Sequence, residues 1–306
     1  MSGDFDAALV EFSDLVGPGG PVTVRGGGTR WDRGGELESG TRELGAPTGI
    51  VSYQPDEMTV TVRAGTVVSD LHAELADAGQ RTALPVRPGG TVGGALSVGE
   101  SAIERLGRGA TRDTLLQAVF VAADGQLVTA GGPTVKNVTG FDLPRLLVGS
   151  LGTLGLIAEV ILRTQPMAAR EEWLRTGDAD PAAVLRSTST ADSILWDGTS
   201  TWVLLAGYPP DVEADVTRLA DIGTFGSASP PDLPPHRWSR TPSQALALDP
   251  TETGSFVAEV GVGLVHAERP DRPSPRPAGV ETIETRIKAL FDPDGRLNPG
   301  RRPGAG

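Results

Sequence analysis

The sequence predicts an α+β chain of two domains, and three observations predict it. Short β-branched runs alternate with amphipathic helical segments. Two glycine-rich stretches, Arg25-Gly26-Gly27-Gly28-Thr29 and Gly149-Ser150-Leu151-Gly152-Thr153-Leu154-Gly155, each adjoin an apolar run, Val22 to Val24 and Leu156 to Leu162. The composition changes after Pro166, and 306 residues suit about two domains. Glycine lets a backbone N–H approach a bound group closely and reaches positive φ cheaply. Consecutive N–H groups at a strand end form an anion-holding concavity. Two such loops point to an extended, phosphate-bearing ligand.

The elements follow in order. Asp4 to Val16 places Phe5, Leu9, Phe12 and Val16 at helical spacing, and Gly17 to Pro21 stops that helix. Pro21 to Val24 reads as a strand entering the first glycine loop. Ile50 to Tyr53 and Thr59 to Ala64 read as strands around the Gln54-Pro55-Asp56 turn. Gly65-Thr66 opens a helix over Val68, Leu71, Leu75 and Ala78, with Gly79 placed to cap it. Leu115 to Ala122 and Gln126 to Thr129 flank Asp124-Gly125 as a hairpin. Asp142 to Val148 reads as a short helix and Leu156 to Thr164 as a buried strand. Beyond Pro166, Ala182 to Leu185 and Val212 to Ile222 are helix-like, while Trp202 to Gly207 and Ser255 to Val265 are strand-like. Ser229 to Pro235 cannot be helix interior, and Arg269 to Pro277 reads as an exposed linker. Thr282 to Phe291 is the last helix. These readings divide the chain into 1–165, 166–280 and a C-terminal strap, 281–306.

Composition excludes several functions. The net charge is −12, and residues 1–165 carry 13 basic and 19 acidic side chains against 14 and 20 beyond. The absence of a basic tail or stripe argues against nucleic acid and anionic membranes as partners. The chain has no cysteine, which excludes disulfides, thiol catalysis and iron–sulfur ligation by this chain. Three histidines, His72, His236 and His266, make an all-protein zinc site improbable, so no metal is expected. The first residues lack the basic start and apolar stretch of a signal peptide. No run approaches the ~20 apolar residues of a membrane span. The expected location is cytoplasmic.

Arg25 to Thr29 alone is compatible with a simple turn. It is not a G-x-G-x-x-G opening a helix, which disfavours a Rossmann site, and no P-loop motif exists. The series is more specific. Arg87-Pro-Gly-Gly-Thr-Val-Gly-Gly-Ala-Leu-Ser97 follows, then Gly107-Arg-Gly-Ala-Thr-Arg-Asp113 and the Ala123-Asp124-Gly125 hairpin. Next come Val135-Lys-Asn-Val-Thr-Gly-Phe-Asp142, the second glycine loop, and Phe291-Asp-Pro-Asp-Gly-Arg-Leu-Asn-Pro-Gly300. In order and spacing this resembles the FAD-binding domain of the vanillyl-alcohol oxidase family, the PCMH type, over residues 18–165 and 281–302. It is similar to the small FAD-binding subunits of bacterial glycolate oxidases. Most glycolate- and lactate-type members carry an acidic residue where Leu151 stands here. The resemblance implies a two-lobed FAD domain with a reduced α/β cap.

The resemblance also implies site residues. Gly26, Gly27, Gly28 and Thr29 would offer N–H groups and a hydroxyl to the diphosphate. Pro88, Gly89, Thr91, Gly93, Gly94 and Ser97 would line the second wall. Gly99, Arg112 and Asp113 lie along the ligand's path in the family. Gly149, Thr153, Gly155 and Ile157 would contact the adenosine side, and Asn298 would approach through the strap. For any single glycine a tight turn is the competing reading. Family members with covalent flavin use a histidine after the glycine loop, or a cysteine. Thr29 stands there in this chain, so FAD is expected to be non-covalent.

Oxidising a 2-hydroxy acid needs a base, a cation for the carboxylate and a hydride acceptor. His266 occupies a place resembling the family's glycine-then-histidine strand; the alternative is a satisfied strand-end histidine. Arg240, after Trp238, resembles a carboxylate-binding tryptophan–arginine pair, although the spacing differs; the alternative is a solvated loop arginine. His236 reads as exposed and His72 as structural. The function implied is an FAD-binding subunit of a glycolate-oxidising dehydrogenase. Its partners would be a larger FAD-binding subunit and an iron–sulfur subunit, and contact with the inner membrane would come through them. A non-catalytic partner subunit and a stand-alone oxidase of another alcohol or sugar are the alternatives.

Overall fold

The computed structural model describes residues 5–133, 143–271 and 278–303. The Val135 to Asp142 motif, residues 272–277 of the proline-rich stretch and the first four residues lie outside the described residues. The chain forms two compact units. The first holds Ala110–Pro166 together with everything before Ile103 and the C-terminal helix. The second holds Ile103–Gly109 and Met167–Pro275. The short helix Arg105–Arg108 joins the second unit because Arg108 Nε donates to Asp192 Oδ2 at 2.7 Å.

In the first unit a five-stranded antiparallel sheet runs in the order Ile50–Gln54, Thr59–Arg63, Leu156–Arg163, Leu115–Val121, Leu127–Gly131. Period-2 alternation gives each strand two faces. Val60, Val62, Val160, Leu162, Ala118 and Phe120 pack with the helices Val68–Ala76 and Val92–Val98. Val119, Val121, Leu156 and Ala158 face the helix Ala7–Val16 through Leu9, Phe12 and Val16. The strand Leu115–Val121 alternates between both layers, with a register shift against its partner between Val119 and Phe120. Each fully buried side chain of this size contributes roughly 1.5–3 kcal/mol. Asp6 caps the first helix by accepting from the amides of Ala8 and Leu9 at 3.1 and 3.2 Å.

A smaller parallel pair, Val22–Val24 and Arg42–Leu44, stands apart from that sheet, and Val22 also bridges Leu297. The C-terminal helix Ala278–Phe291 leads to this bridge. Asp292, 1% exposed, accepts from the amides of Arg296 and Leu297 and from Lys288 Nζ. Arg296 donates to the carbonyls of Val16, Gly19, Gly20 and Ala123. One arginine thus ties the chain's tail to two loops.

The second unit is a seven-stranded antiparallel sheet. Its order is Gly226–Ser227, Arg170–Thr176, Thr201–Gly207, Ala191–Trp196, Phe256–Glu259, Leu264–Ala267, His236–Ser239. The helices Pro181–Ser187 and Pro209–Ala220 bury Val184, Val212 and Leu219 against Ile194, Val203 and Leu205. Leu195, Trp202 and Val257 lie on the opposite face.

Three readings need correction. Ser255 to Val265 is not one strand. It folds into a hairpin because Gly261 and Gly263 both take positive φ, at 81° and 83°. The second helix ends at Ala76 with Asp77 as its cap, and Gly79 follows with φ 66°. The segment Val92–Val98, read only as a glycine-rich motif, is a helix, with Thr91 Oγ1 accepting from Gly94 N at 3.2 Å.

Candidate functional site

The first unit contains a cleft of about 410 Å³. Its floor is where the glycine stretches converge. Gly26, Gly27, Gly28 and Thr29 leave the strand Val22–Val24 and line one wall. Gly89, Thr91, Gly93, Gly94 and Ser97 line another, and Gly155, Ile157 and Asn298 complete it.

Close approach explains why glycine occupies these positions. A Cβ on Gly27 would collide with the Gly89 carbonyl, and one on Gly26 with the Thr91 hydroxyl. The two loops therefore touch through bare backbone. Gly93 N donates to Ala64 O at 2.7 Å, and Val68 N to Gly90 O at 2.8 Å, so the second loop is pinned to a strand–helix junction. The amides of Gly26, Gly27 and Gly28 donate to no protein group among the described residues. Three adjacent open donors on a mutually supported loop suit an anionic oxygen.

Asn298 reaches the cleft with φ 47°. Its Nδ2 donates to Gly152 O at 3.0 Å, its Oδ1 accepts from Thr23 Oγ1, and its amide donates to Val22 O at 2.9 Å. One buried side chain therefore fixes the second glycine loop against the strand that carries the first.

Six residues singled out with these do not line the cleft. Gly149 and Gly99 pack on each other behind it; a Cβ on Gly99 would sit 2.9 Å from Gly149 N. Thr153 is buried, its hydroxyl donating to Ser150 O at 2.7 Å and its carbonyl accepting from Lys288 Nζ at 2.8 Å. Arg112 and Asp113 are exposed, and Asp113 pairs with Arg145 at 3.3 Å. Pro88 is exposed beside the second loop.

The sequence reading missed the charged rim. Among the described residues, Arg25, Arg30, Arg33, Arg87 and Arg301 line the cleft together with a single carboxylate, Glu100. Trp31, also at the cleft, lies between Arg25 and Arg301, with guanidinium-to-ring distances of 4.8 and 4.9 Å. Burial lowers the Arg301 pKa from its ordinary value, while Asp32 opposes that shift. The only sequence signal for this rim was the placement of arginines within four residues of the glycine motifs.

The two candidate catalytic residues lie in the second unit. His266 Nε2 is 2.8 Å from Glu259 Oε1, and Glu259 is 1% exposed. Arg237 NH2 is 3.9 Å from the same oxygen. Nε2–H donating to the carboxylate leaves Nδ1 as the acceptor atom of the ring. Arg240 stacks on Trp238 at 4.9 Å and donates two hydrogen bonds to Asp271, at 2.9 and 2.6 Å. That guanidinium is committed to a bidentate pair. His72 bonds the Thr82 hydroxyl at 2.8 Å, and His236 is exposed at the start of an edge strand. No group of three or more metal-ligating side chains occurs among the described residues.

Residues 15–131, which contain both walls of the cleft, match the family described as FAD binding domain (FAD_binding_4). Over that segment the chain is similar to FAD-binding domains of the PCMH type. Relatives agree with it. The glycolate oxidase subunit GlcE of Escherichia coli (strain K12) is 32% identical over 169 residues, 53% of this chain and 48% of that protein. The D-lactate dehydrogenase of Archaeoglobus fulgidus is 34% identical over 152 residues, 48% of this chain and 33% of that protein. The chain thus spans about half the length, or less, of the curated relatives it matches. Among solved structures, an alkyldihydroxyacetonephosphate synthase superposes with a TM-score of 0.67 at 14% identity, covering 91% of this chain and 71% of that one. The likeness establishes the fold. The FAD-binding domain and its cleft coincide, and the residues present fit the cofactor: open amides for a diphosphate and a cationic rim around them.

Proposed function

We propose that this chain is the FAD-binding subunit of a 2-hydroxy-acid dehydrogenase, with glycolate as the leading substrate. The observation that carries the proposal is the cleft where two bare-backbone glycine loops meet inside the FAD-binding domain. The similarity to a glycolate oxidase subunit supports the substrate class. When bound, the flavin supplies a two-electron acceptor for the carbinol hydrogen. This chain's residues do the rest. The glycine-loop amides hold the diphosphate, and Asn298 fixes the loops to one another. His266 takes the hydroxyl proton at Nδ1 while its Nε2–H stays on Glu259. Among the described residues no helix is long and apolar enough to cross a membrane.

The chain has no cysteine, so any iron–sulfur cluster that receives the electrons belongs to another chain, and an iron–sulfur subunit is the partner class proposed, beside a larger flavin subunit. The same reading puts the protein in the cytoplasm, reaching the inner membrane through those partners.

The test is an anaerobic absorption spectrum of the purified chain. A flavin spectrum bleached by glycolate or lactate supports the proposal. Bleaching only after the larger subunit is added assigns the chemistry to that subunit. Bleaching by an unrelated alcohol with rapid reoxidation in air makes the chain a stand-alone oxidase. Attachment is tested by acid precipitation, with the yellow colour expected in the supernatant because Thr29 offers no imidazole.

A further inference from the structure

The cleft concentrates positive charge in an otherwise acidic protein. Five arginines and one carboxylate line it, while the whole chain carries −12. Three of those arginines converge on the carboxylate. Arg30 Nε lies 2.9 Å from Glu100 Oε2, Arg87 NH2 3.0 Å from the same oxygen, and Arg33 NH2 3.0 Å from Oε1. The Glu100 side chain is 13% exposed. Like charges gathered this closely repel one another unless a counter-charge is fixed among them. Glu100 is that counter-charge, and among the described residues of this cluster three guanidiniums meet one carboxylate, an excess of two positive charges.

Placement ties the cluster to both glycine loops. Arg30 follows the first loop directly and donates through NH1 to Thr29 O at 3.1 Å. Arg87 opens the second loop, and its carbonyl accepts from Gly90 N at 2.8 Å. Arg33 is held rigidly: its Nε is buried and has no hydrogen-bond partner among the described residues, while its NH2 reaches Glu100. A buried N–H without an acceptor is costly. A guanidinium carries five donors, so Arg30 and Arg33 can hold Glu100 and still offer N–H groups to an anion.

We infer that Arg30, Arg33 and Arg87, oriented by Glu100, form the charged half of the diphosphate site and set the preference for a phosphorylated flavin over riboflavin. This rests on the FAD reading above and deepens it. The diphosphate carries one negative charge on each phosphate, matching the two in excess on the cluster. Glu100 acts as a positioning residue. It holds the three arginines near the glycine-loop amides, so that little side-chain entropy remains to be lost on binding.

The experiment titrates the flavin-stripped full chain with FAD and with riboflavin, following flavin fluorescence at low and moderate salt. Wild type is expected to bind FAD more weakly as salt rises and riboflavin independently of salt. Arg33→Gln and Arg87→Gln should each weaken FAD by about tenfold, flatten its salt dependence and leave riboflavin unchanged. Glu100→Gln should also weaken FAD, because the arginines lose their anchor, with Glu100→Asp recovering part of the loss. Circular dichroism and the melting curve of each variant confirm that it folds. If wild type takes no FAD, the flavin reading itself falls and this inference with it. If wild type binds FAD and the arginine variants bind it equally well, only this inference is overturned. It is likewise overturned if the variants keep their FAD affinity but raise KM for a hydroxy acid, which would assign the cluster to the substrate's carboxylate.

Discussion

A single methyl group is enough to probe the cleft. Gly27 meets the Gly89 carbonyl with no room for a Cβ. Gly27→Ala must therefore push backbone away from backbone, which no rotamer change can relieve. The expected cost is roughly 1–3 kcal/mol of stability with loss of bound flavin; urea melts and the ratio of flavin to protein absorbance check it. Asn298 makes the complementary point. Its side chain both donates to Gly152 O and accepts from Thr23, and it is 6% exposed. Asn298→Ala leaves two buried groups unpaired and puts a Cβ-bearing residue without local side-chain bonding at φ 47°. A loss of about 1–3 kcal/mol is expected, and Asn298→Gly, which relieves only the backbone, should recover a minor part of it. At His266 the readouts separate. His266→Asn should retain flavin, because the cofactor cleft is built from other residues, and should lose hydroxy-acid turnover. Loss of flavin together with turnover would assign His266 a structural role.

The elements show why some of the fold was legible and some was not. The strand Leu156–Arg163 and the hairpin around Asp124-Gly125 announce themselves, since buried runs and a tight turn each leave a local mark. The helix Val92–Val98 does not. Two glycines in seven residues argue against helix, and what overrides that preference is tertiary: Val92 and Leu96, both 0% exposed, anchor it in the core. The strand Arg170–Thr176, rich in charge, was missed because it is only partly buried. The cleft's glycines were readable because bare backbone is the requirement itself. The Glu100 cluster was not, because it joins residues 70 and 67 positions apart in sequence that only the fold brings together. Another such long-range link sits in the helix Pro209–Ala220. Asp215, fully buried, accepts from Thr190 N and Oγ1 at 2.7 and 2.6 Å and from Ser189 N at 2.9 Å, and it also pairs with Arg218. Burial alone would raise its pKa, yet these bonds outweigh burial and hold it below the ordinary 3.8. A depressed folded value stabilises above the unfolded pKa and ceases to do so as pH falls through the lowered value. Asp215→Asn should therefore destabilise at pH 7, and its gap from wild type should narrow as pH is taken well below 3.8. Tryptophan fluorescence in urea reads this well, since four of the five tryptophans (Trp173, Trp196, Trp202, Trp238) lie in the second unit.

At the scale of the molecule, the two units hold different parts of the proposed machinery. One contains the whole cofactor cleft, and the other contains the His266–Glu259 pair. That division makes cofactor binding a stability measurement. A ligand that binds only the folded state stabilises it by about 2.7 kcal/mol when present at 100 times its Kd. For a unit of this size each kcal/mol moves the melting temperature by roughly 2–4 °C, so saturating FAD should raise the first unit's transition by about 5–10 °C. In the proposed reading the cleft's amides and guanidiniums address the diphosphate, so riboflavin at the same multiple of a wild-type FAD Kd should produce little shift. Scanning calorimetry at matched flavin concentrations decides the matter. Equal shifts from FAD and riboflavin would mean that the ring system alone is held, and the glycine loops would then be turns that shape the fold without touching the dinucleotide.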